Sequence, residues 1–408
     1  MKALVLTGGM PQAHLVRELK RRGISSLLAD RNKNAPAVEF ADKFFPISAL
    51  DVSSIRHLAI TEQVDFVISV CADQMLLVAA QVCQELGLPC YIDYKTAKNV
   101  SNKEHMKRIF AENGIPTANY CVCSSFDPKL IKNLSYPLVV KPVDTYSSKG
   151  VIKVYNLEGL EKALLNALKI SRTGTAIIEE FTKGDEVSVD IYVEEGKINI
   201  LCIRSLDKIP GTNGFVINRG RYPAKLTDVI VEKIQNTAQK IAEAFHLKNT
   251  PMLIQLLVDG DDISVVEFSA RTGGGIKYRL IPKVSGFDVV KAVLDLTLGH
   301  KPSLKINHYD GYIIDEFLYC YPGVLNHVIG LDELSHSGVI DHYEQYKFKG
   351  YEFGSISSSG DRLAYFSIEA RNLEELERLQ IIAGQTVKAI SDTGKDLIRH
   401  DIIRFVPY

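Results

Sequence analysis

Short apolar runs alternate with amphipathic stretches over the first 97 residues of the chain. Four of these runs have the length of buried strands, and they predict strands at 2–7, 24–29, 64–70 and 88–92. Two stretches carry apolar side chains at helical spacing and stop at a glycine, which predicts helices at 11–22 and 75–86. Because strands that alternate with helices form parallel sheets covered on both faces, residues 1–97 are expected to form a doubly wound α/β domain.

The pattern changes after residue 97, where strands and helices no longer alternate regularly. An amphipathic helix is predicted first, at 98–112. The elements predicted up to residue 298 are strands at 137–142, 151–155, 176–180, 187–193 and 198–204, helices at 157–169, 226–246 and 285–298, and a hairpin turning at Asp259-Gly260-Asp261. Short alternating strands are predicted at 311–370, ahead of a helix at 372–392. This order favours α+β structure beyond residue 97.

Composition narrows the class of protein. The 408 residues are 46% hydrophobic and 24% charged, and 48 basic side chains balance 49 acidic ones, so the chain has no basic excess for nucleic acid. No apolar run reaches the roughly 18 residues of a membrane span, and the apolar start is too short for a secretion signal. Seven cysteines without a CxxC pair indicate reduced thiols. We therefore expect a cytoplasmic protein with neither a nucleic-acid nor a membrane partner.

The turn after the first predicted strand argues against a dinucleotide site. It begins with Gly8-Gly9 and continues with Met and Pro, so it lacks the GxGxxG spacing that lets a pyrophosphate approach the backbone. Asp30 ends the second predicted strand, where a ribose-binding acid would stand, but without the glycines NAD binding is not expected. Asp30 and Asp73 remain candidates to meet the amine of a substrate.

A lysine ends a buried strand ahead of a loop of small residues. The strand reads Tyr-Pro-Leu-Val-Val-Lys141-Pro, and the loop reads Asp-Thr-Tyr-Ser147-Ser148-Lys-Gly150. Backbone N–H groups of such a loop can bind phosphate oxygens, to which Lys141 adds a point charge. The loop is no Walker A motif, because GxxxxGK[ST] is absent, and taken alone the segment is more typical of a solvated hairpin.

Two acids and an aromatic residue end the next predicted strand, which we expect at the edge of a sheet. The segment reads Ile-Ile-Glu179-Glu180-Phe181-Thr182-Lys-Gly-Asp-Glu186. A strand edge can offer adenine one donor and one acceptor, and a carboxylate such as Glu186 can accept hydrogen bonds from both ribose hydroxyls. Taken alone, the pattern is more typical of a charged hairpin without a ligand.

The third segment is the predicted hairpin, which leads into three consecutive glycines. Gln255 and Glu267 are expected on one face of the hairpin, and Ser269 and Arg271 share the face of Glu267 through the two-residue period of a strand. Oxygen atoms in this arrangement suit Mg²⁺ that bridges phosphates, and Arg271 can bind a γ-phosphate or a carboxylate through two hydrogen bonds. Gly273, Gly274 and Gly275 allow a ligand to approach the backbone closely.

In this order the three segments resemble the ATP-grasp superfamily of carboxylate–amine ligases, which includes L-amino-acid ligases and the large subunit of carbamoyl-phosphate synthase. The cues are VVKP with SSKGV, EEFT with a following GDE, EFSAR before the glycines, SNKEHMKRIFAENGIPT over 101–117, and SGDRLAYF from residue 359. The resemblance implies a leading α/β domain at 1–97, an ATP-grasp domain of two α+β subdomains at 98–300 with a mobile lid at about 117–182, and a small α+β cap at 301–408.

The resemblance also implies roles for individual residues, with ATP and Mg²⁺ or Mn²⁺ as cofactors. The α- and β-phosphates would be contacted by Lys103 and Lys141. The lid over them would include Ser147, Ser148 and Gly150. The adenine would be framed by Glu179, Glu180, Phe181 and Thr182, and the ribose would be held by Glu186. The metal ligands would be Glu267, Gln255 and Ser269, and Arg271 would stabilise the transferring phosphoryl group.

Two of these positions depart from the superfamily pattern. A carboxylate is usual at the position of Gln255, and Asn is usual at the position of Ser269. Both side chains still offer an oxygen, but the metal cage loses a negative charge, so we expect weaker metal binding and leave open whether one or two ions bind. The loop at 144–150 contains a single glycine, which predicts a stiffer lid.

These observations predict an ADP-forming ligase that joins a small-molecule carboxylate, in the first instance an amino acid, to an amine through an acyl-phosphate. Lys208 and Arg221, in the basic stretch 204–223, and the glycine loop would meet the carboxylate. Two alternatives stay open: a ribosyl-phosphate or aminosugar substrate, and a nucleotide-binding regulator whose catalysis is weakened. The general base and the oligomeric state, including a homodimer, also stay open.

Overall fold

A four-stranded parallel sheet forms the first part of the computed structural model, which describes residues 1–145, 149–210 and 215–403. Its strands, in the spatial order β3-β2-β1-β4, are β1 (Lys2–Leu6), β2 (Ser25–Ala29), β3 (Lys43–Phe45) and β4 (Phe66–Ile68). Its helices are α1 (Met10–Arg21), α2 (Val52–Thr61) and α3 (Asp73–Leu86). Ala3 and Val5 pack with α1 and Leu4 and Leu6 with α2 and α3, so the sheet is covered on both faces as expected.

Two details of this sheet differ from the sequence prediction. The apolar run 88–92 forms no strand; the N–H of Leu88 bonds to the carbonyl of Cys83 and closes the end of α3 instead. The sheet takes its remaining strand from residues 43–45 (β3), which the sequence did not predict and which pair with β2 over only three residues. These three residues are partly exposed, so the apolar signal that identifies a buried strand is missing there.

The helix expected at 98–112 is two helices, α4 (Tyr94–Ser101) and α5 (Lys103–Glu112). They meet at Asn102, whose backbone is extended and whose side-chain oxygen accepts hydrogen bonds from the N–H groups of Glu104 and His105. An asparagine that caps a helix competes with continuation of the preceding one, which explains the break.

A four-stranded antiparallel sheet follows, with one helix packed on it. The strands, in the order β5-β8-β6-β7, are β5 (Tyr120–Cys123), β6 (Leu138–Pro142), β7 (Ile152–Val154) and β8 (Ala176–Glu180), and the helix is α6 (Leu157–Ile170). Leu138, Val140, Leu164 and Ile178 share its small core. The edge-strand prediction for 177–180 is wrong, because β8 lies between β5 and β6. We call this unit, residues 120–180, the small sheet.

An eight-stranded antiparallel sheet forms the largest layer. Its order is β13-β12-β9-β10-β11-β14-β18-β16, with the strands β9 (Asp185–Glu194), β10 (Lys197–Lys208), β11 (Ile217–Tyr222), β12 (Thr250–Asp259), β13 (Asp262–Ser269), β14 (Tyr312–Leu318), β16 (His342–Gln345) and β18 (Ala364–Ala370). The accompanying helices are α7 (Asp228–Ala244), α8 (Lys277–Ser285) and α9 (Val289–Thr297). The predicted hairpin is confirmed, with Gly260 at a φ of +59° in its turn. The sheet runs across residue 300, since β14, β16 and β18 belong to it.

The remaining elements form a three-stranded sheet near the end of the chain. Its strands, in the order β17-β15-β19, are β15 (Gly323–Ile329), β17 (Glu352–Phe353) and β19 (Lys388–Ser391), and the helices beside them are α10 (Leu331–His336) and α11 (Leu373–Thr386). Residues of α11 such as Leu376 pack with β14 and β18 in the largest core. Across the described ranges, every helix is too short or too polar to cross a bilayer.

Candidate active site

A cavity of about 830 Å³ lies where these layers meet. The parallel sheet contributes Thr7 and Cys71, which follow β1 and β4 and have φ angles of +67° and +58°. Its other walls come from the small sheet, the face of β9, β12 and β13, the loop after β13, and the region of Phe317 and Arg362. The three segments singled out in the sequence therefore line one space, as expected for a shared site.

One wall of the cavity carries a glutamate held by two lysines. The Nζ of Lys141 lies 2.7 Å from Oε2 of Glu179, and the Nζ of Lys107 lies 3.0 Å from Oε1. All three side chains are buried. Burial alone would raise the pKa of Glu179, but the two ammonium groups outweigh it and hold that pKa below its usual range. Two lysines that face one carboxylate form a preassembled cationic pair for a polyphosphate.

Lys107 is the member of this cluster that the sequence did not single out. It lies one helical turn after Lys103 on α5, so the two lysines share a face of the helix. That spacing was visible in the sequence. What was not visible is that α5 packs so closely that Lys107 is only 1% exposed.

Burial makes the charge of Lys107 sensitive to pH. Burial lowers the pKa of Lys107 to about 8, because it outweighs the attraction of Glu179, which raises that pKa. The ammonium is therefore charged at pH 7 and loses its proton above pH 8. We expect the affinity for ADP to fall up to about tenfold between pH 7 and pH 9, and to be flatter in Lys107→Met. Calorimetric titration at both pH values measures this, and equal profiles for the two proteins would refute the role of Lys107.

The segment after β8 forms the wall expected for adenine. Phe181 lines the cavity, and the Nζ of Lys153 lies 3.2 Å from the centre of its ring. The side chain of Glu180 instead accepts hydrogen bonds from the side-chain amide of Asn119 and the backbone N–H of Ser135, both at 2.8 Å. Thr182 also lines the cavity, and among the described residues its N–H makes no backbone hydrogen bond. Glu180 thus braces the small sheet, while Phe181 and Thr182 face the cavity.

Glu186 is the second residue of β9, and both of its carboxylate oxygens have partners. The side-chain amide of Gln255 donates a hydrogen bond to Oε1 at 2.9 Å, and the Nζ of Lys208 lies 2.9 Å from Oε2. Lys208 was assigned to the substrate from sequence, but the structure pairs it with Glu186. Arg221, assigned with it, pairs with Asp207 at 2.8 Å and is not among the described residues that line the cavity.

Glu267 faces Gln255 directly across the hairpin, as the two-residue period predicted. The Nζ of Lys103 lies 3.6 Å from Oε2 of Glu267 and donates a hydrogen bond to the carbonyl of Thr145 at 2.8 Å. Ser269 shares the strand with Glu267, and its hydroxyl donates to Oδ1 of Asp73 at 2.6 Å. Lys103, Gln255 and Glu267 therefore meet at one wall of the cavity.

Arg271 is held by Asp73 at the start of α3. Its Nε donates to Oδ1 of Asp73 at 2.7 Å, and its Nη2 contacts the other carboxylate oxygen. Burial opposes the charge of Arg271, but Asp73 outweighs it and raises the guanidinium pKa above its ordinary value. Asp73 was a candidate for a substrate amine and is instead ion-paired. Asp30, the other candidate, accepts hydrogen bonds from the N–H groups of Gly8 and Asn32.

The three glycines after Arg271 line the cavity beside a buried ion pair. Lys277, at the start of α8, contacts Asp190 and donates a hydrogen bond to the hydroxyl of Ser188 at 3.1 Å. A side chain at Gly273 would place its Cβ 2.8 Å from Cγ of Lys277 and 3.1 Å from Oδ1 of Asp190. The glycine is therefore required by the packing of this pair as well as by ligand approach.

The predicted lid loop is only partly described. Ser147 and Ser148 lie outside the described residues. Gly150 precedes β7 with a φ of +77°, and a Cβ there would lie 2.9 Å from Cδ1 of Ile170, so the position requires glycine on both counts. The motion of the lid stays a prediction.

Gly184 links β8 to β9 at the cavity wall and tolerates no side chain. Its φ is +126°, and a Cβ would lie 2.5 Å from the carbonyl oxygen of Val258, a backbone atom with little freedom to move. We expect Gly184→Ala to lower the free energy of unfolding by about 2–4 kcal/mol. Gly174→Ala, at a φ of +66° with no atom within 4 Å, should cost only about 1 kcal/mol. Thermal unfolding measures both, and equal losses would contradict the contact.

Comparison with known proteins gives one domain match and several relatives. Residues 134–279 match the ATP-grasp domain. The formate-dependent phosphoribosylglycinamide formyltransferase of Mannheimia succiniciproducens is 27% identical over 288 residues, which are 66% of this chain and 69% of the relative.

Two solved structures share the fold over nearly the whole chain. The L-amino acid ligase from Bacillus licheniformis has a TM-score of 0.80 at 20% identity, covering 96% of this chain and 98% of that one. Phosphoribosylglycinamide synthetase from Anaerococcus prevotii has a TM-score of 0.73 at 17% identity, covering 96% and 99%. At these identities the two structures establish the fold and leave the substrate open.

Proposed function

We propose that this chain, whose residues 134–279 form an ATP-grasp domain and which is an ATP-dependent, ADP-forming ligase of that type, joins a carboxylate to an amine through an acyl-phosphate. The observation that carries the proposal is the placement of Lys107 and Lys141 on Glu179 in the same cavity as Arg271 and the glycine loop. Cations at one wall suit the phosphates of ATP, and the guanidinium of Arg271 at another wall suits the carboxylate that receives the phosphoryl group.

The residues proposed for ATP follow from their positions. Lys103, Lys107 and Lys141 would contact the phosphates. The backbone of Glu180 and Thr182 and the ring of Phe181 would contact the adenine, and Glu186 would accept hydrogen bonds from the ribose hydroxyls. Ser147, Ser148 and Gly150 would cover the phosphates, and that part of the proposal rests on the sequence.

The oxygen donors on β12 and β13 fit a divalent cation. Glu267 would hold Mg²⁺ or Mn²⁺, with neutral oxygens of Gln255 and Ser269 nearby, because hard cations prefer such oxygen ligands. When bound, the cation neutralises the negative charge of the β- and γ-phosphates. The ammonium of Lys103 lies 3.6 Å from Glu267 and would add further positive charge near the phosphates.

The reaction needs two displacements and no covalent enzyme intermediate. A carboxylate oxygen attacks the γ-phosphorus, and ADP leaves; Arg271 would stabilise the charge on the transferred phosphoryl group. The amine nitrogen then attacks the activated carbonyl carbon, loses a proton and expels inorganic phosphate. Arg271 is already oriented by Asp73, so its position does not have to be assembled during the reaction.

For the substrate pair, the first candidate is an amino acid carboxylate with an amino acid amine. It is supported by the close similarity in fold to an L-amino acid ligase. The second candidate is a small carboxylate with an amine on a ribosyl phosphate, supported by the name of the relatives. One observation favours the second. Arg362 lines the cavity with its guanidinium carbon 3.7 Å from the centre of the Phe317 ring, and it donates hydrogen bonds to the hydroxyl groups of Tyr319 and Ser359 and to the carbonyl of Ile217. Within the described residues these acceptors are all uncharged, so the guanidinium keeps a positive charge that could bind a phosphate.

Phosphate release from ATP with Mg²⁺, measured over two matched panels, tests the proposal. One panel pairs the common amino acids; the other pairs formate and small acids with phosphoribosylglycinamide and aminosugar phosphates. Release that requires both substrates, with a product mass equal to their sum minus water, supports the ligase and identifies the pair. Binding of ATP with no release in either panel would instead favour a nucleotide-binding regulator.

A further inference from the structure

Gln255 lies opposite Glu267 on the β12–β13 hairpin, and its side-chain amide donates a hydrogen bond to Glu186. We propose that Gln255 is a positioning residue for Glu186, and that the site consequently takes a single divalent cation whose only carboxylate ligand from the chain is Glu267. This inference rests on the proposed nucleotide site, and it assigns Gln255 and Lys208 roles other than metal and substrate binding.

The register of the large sheet brings the relevant side chains together. Gln255 on β12 faces Glu267 on β13 on one side and Ser188 on β9 on the other. Glu186 lies two residues before Ser188, so it shares the face of the sheet with them. On this face of the sheet, Gln255 therefore lies between Glu267, proposed for the metal, and Glu186, proposed for the ribose.

Gln255 and Lys208 together fix the carboxylate of Glu186. Each carboxylate oxygen has a donor at 2.9 Å, one an amide and the other an ammonium. Glu186 thus keeps its charge while its orientation is set by two neighbours. A carboxylate at position 255 would bring a second anion within hydrogen-bond distance of Glu186, and the neutral amide avoids that repulsion.

The residues around Glu267 supply little further negative charge for a second cation. The hydroxyl of Ser269 donates a hydrogen bond to Asp73, and the ammonium of Lys103 lies 3.6 Å from Glu267. In the described ranges, no three His, Cys, Asp or Glu side chains stand close enough to hold a metal. Mg²⁺ requires six oxygens, so most would have to come from phosphates and water, and the cation would enter together with the nucleotide.

Counting Mn²⁺ ions tests the metal part without any turnover. Electron paramagnetic resonance of the intact chain titrated with Mn²⁺, with and without saturating ADP, should show one bound ion per chain with ADP and none at the same Mn²⁺ concentration without it. Two ions per chain with ADP, or tight binding without ADP, would overturn the inference while leaving the ligase proposal intact. Failure of ADP itself to bind would overturn both.

Nucleotide discrimination tests the role of Gln255. The ratio of the Kd for 2′,3′-dideoxy-ATP to the Kd for ATP reports recognition of the ribose hydroxyls. We expect that ratio to drop roughly tenfold in Gln255→Met, because Glu186 loses the amide that orients it. Gln239→Met is the matched control, since Gln239 on α7 bonds to Gly196 away from the site, and its ratio should equal that of the wild type.

The two measurements separate a positioning role from a purely structural one. Gln255→Lys keeps a donor for Glu186 and should retain most of the wild-type ratio, whereas general loss of structure would weaken both nucleotides equally. An unchanged ratio in Gln255→Met would overturn the positioning role. If Gln255→Met does not fold, the Mn²⁺ count and the ratio in Gln255→Lys still decide the proposal.

Discussion

Replacing Lys141 with methionine is expected to lower kcat for ATP-dependent turnover by about 10²–10³-fold, the usual cost of removing one group that stabilises transition-state charge. Lys141 ends β6 inside the cavity, with its Nζ 2.7 Å from Glu179. Methionine preserves most of the length of the side chain and removes its charge. The initial rate of phosphate release with saturating substrates measures the effect.

Lys162→Met is the matched control, because Lys162 is an exposed lysine on α6 that pairs with the equally exposed Glu158 one helical turn away. It should leave kcat unchanged. Because Lys141 is only 5% exposed and its charge is paired with Glu179, Lys141→Met should also lower the melting temperature. A folded Lys141→Met protein with wild-type kcat would show that the phosphates bind elsewhere.

Replacing Glu267 with glutamine should raise the Mg²⁺ concentration needed for half-maximal rate by about 10–100-fold. If Glu267 is the one carboxylate that the chain offers to the cation, its neutralisation leaves only neutral oxygens of Gln255 and Ser269 nearby. Its side chain is 39% exposed, so the exchange should alter stability little. Rates measured across a Mg²⁺ titration at fixed ATP give the shift.

Glu112→Gln removes a carboxylate that is 54% exposed and pairs with Arg108 on α5 at 2.7 Å, and it should not alter the Mg²⁺ requirement. The comparison removes the effect of net charge, since both variants lose one negative charge. If Glu267→Gln keeps the Mg²⁺ requirement of the control, the metal lies at another wall of the cavity.

The hairpin shows what local sequence information could provide. Gly260 between two aspartates marks the turn, and counting outward by two residues places Gln255 and Glu267 on one face, where the structure has them. The same reasoning gave the parallel sheet, because runs that are buried on both faces are apolar throughout. Periodicity and turn chemistry are local properties, so one sequence is enough to read them.

Contacts between distant segments could not be read in this way. Arg271 and Asp73 are 198 residues apart in the sequence, and no local pattern around either residue predicts that they form an ion pair. The partner of Lys208 was missed for the same reason: β10 brings Lys208 to Glu186, whereas the sequence showed only a basic stretch. Strand order was equally hidden, and β8 was therefore expected at an edge although it lies inside its sheet.

Transfer of ¹⁸O from a labelled carboxylate substrate to phosphate tests the central claim most directly. If a carboxylate oxygen attacks the γ-phosphorus, the substrate identified by the phosphate-release panels should deliver one ¹⁸O to each molecule of inorganic phosphate, detected by ³¹P NMR or mass spectrometry. Unlabelled phosphate, formed together with the amide product, would contradict the acyl-phosphate route and the role proposed for Arg271.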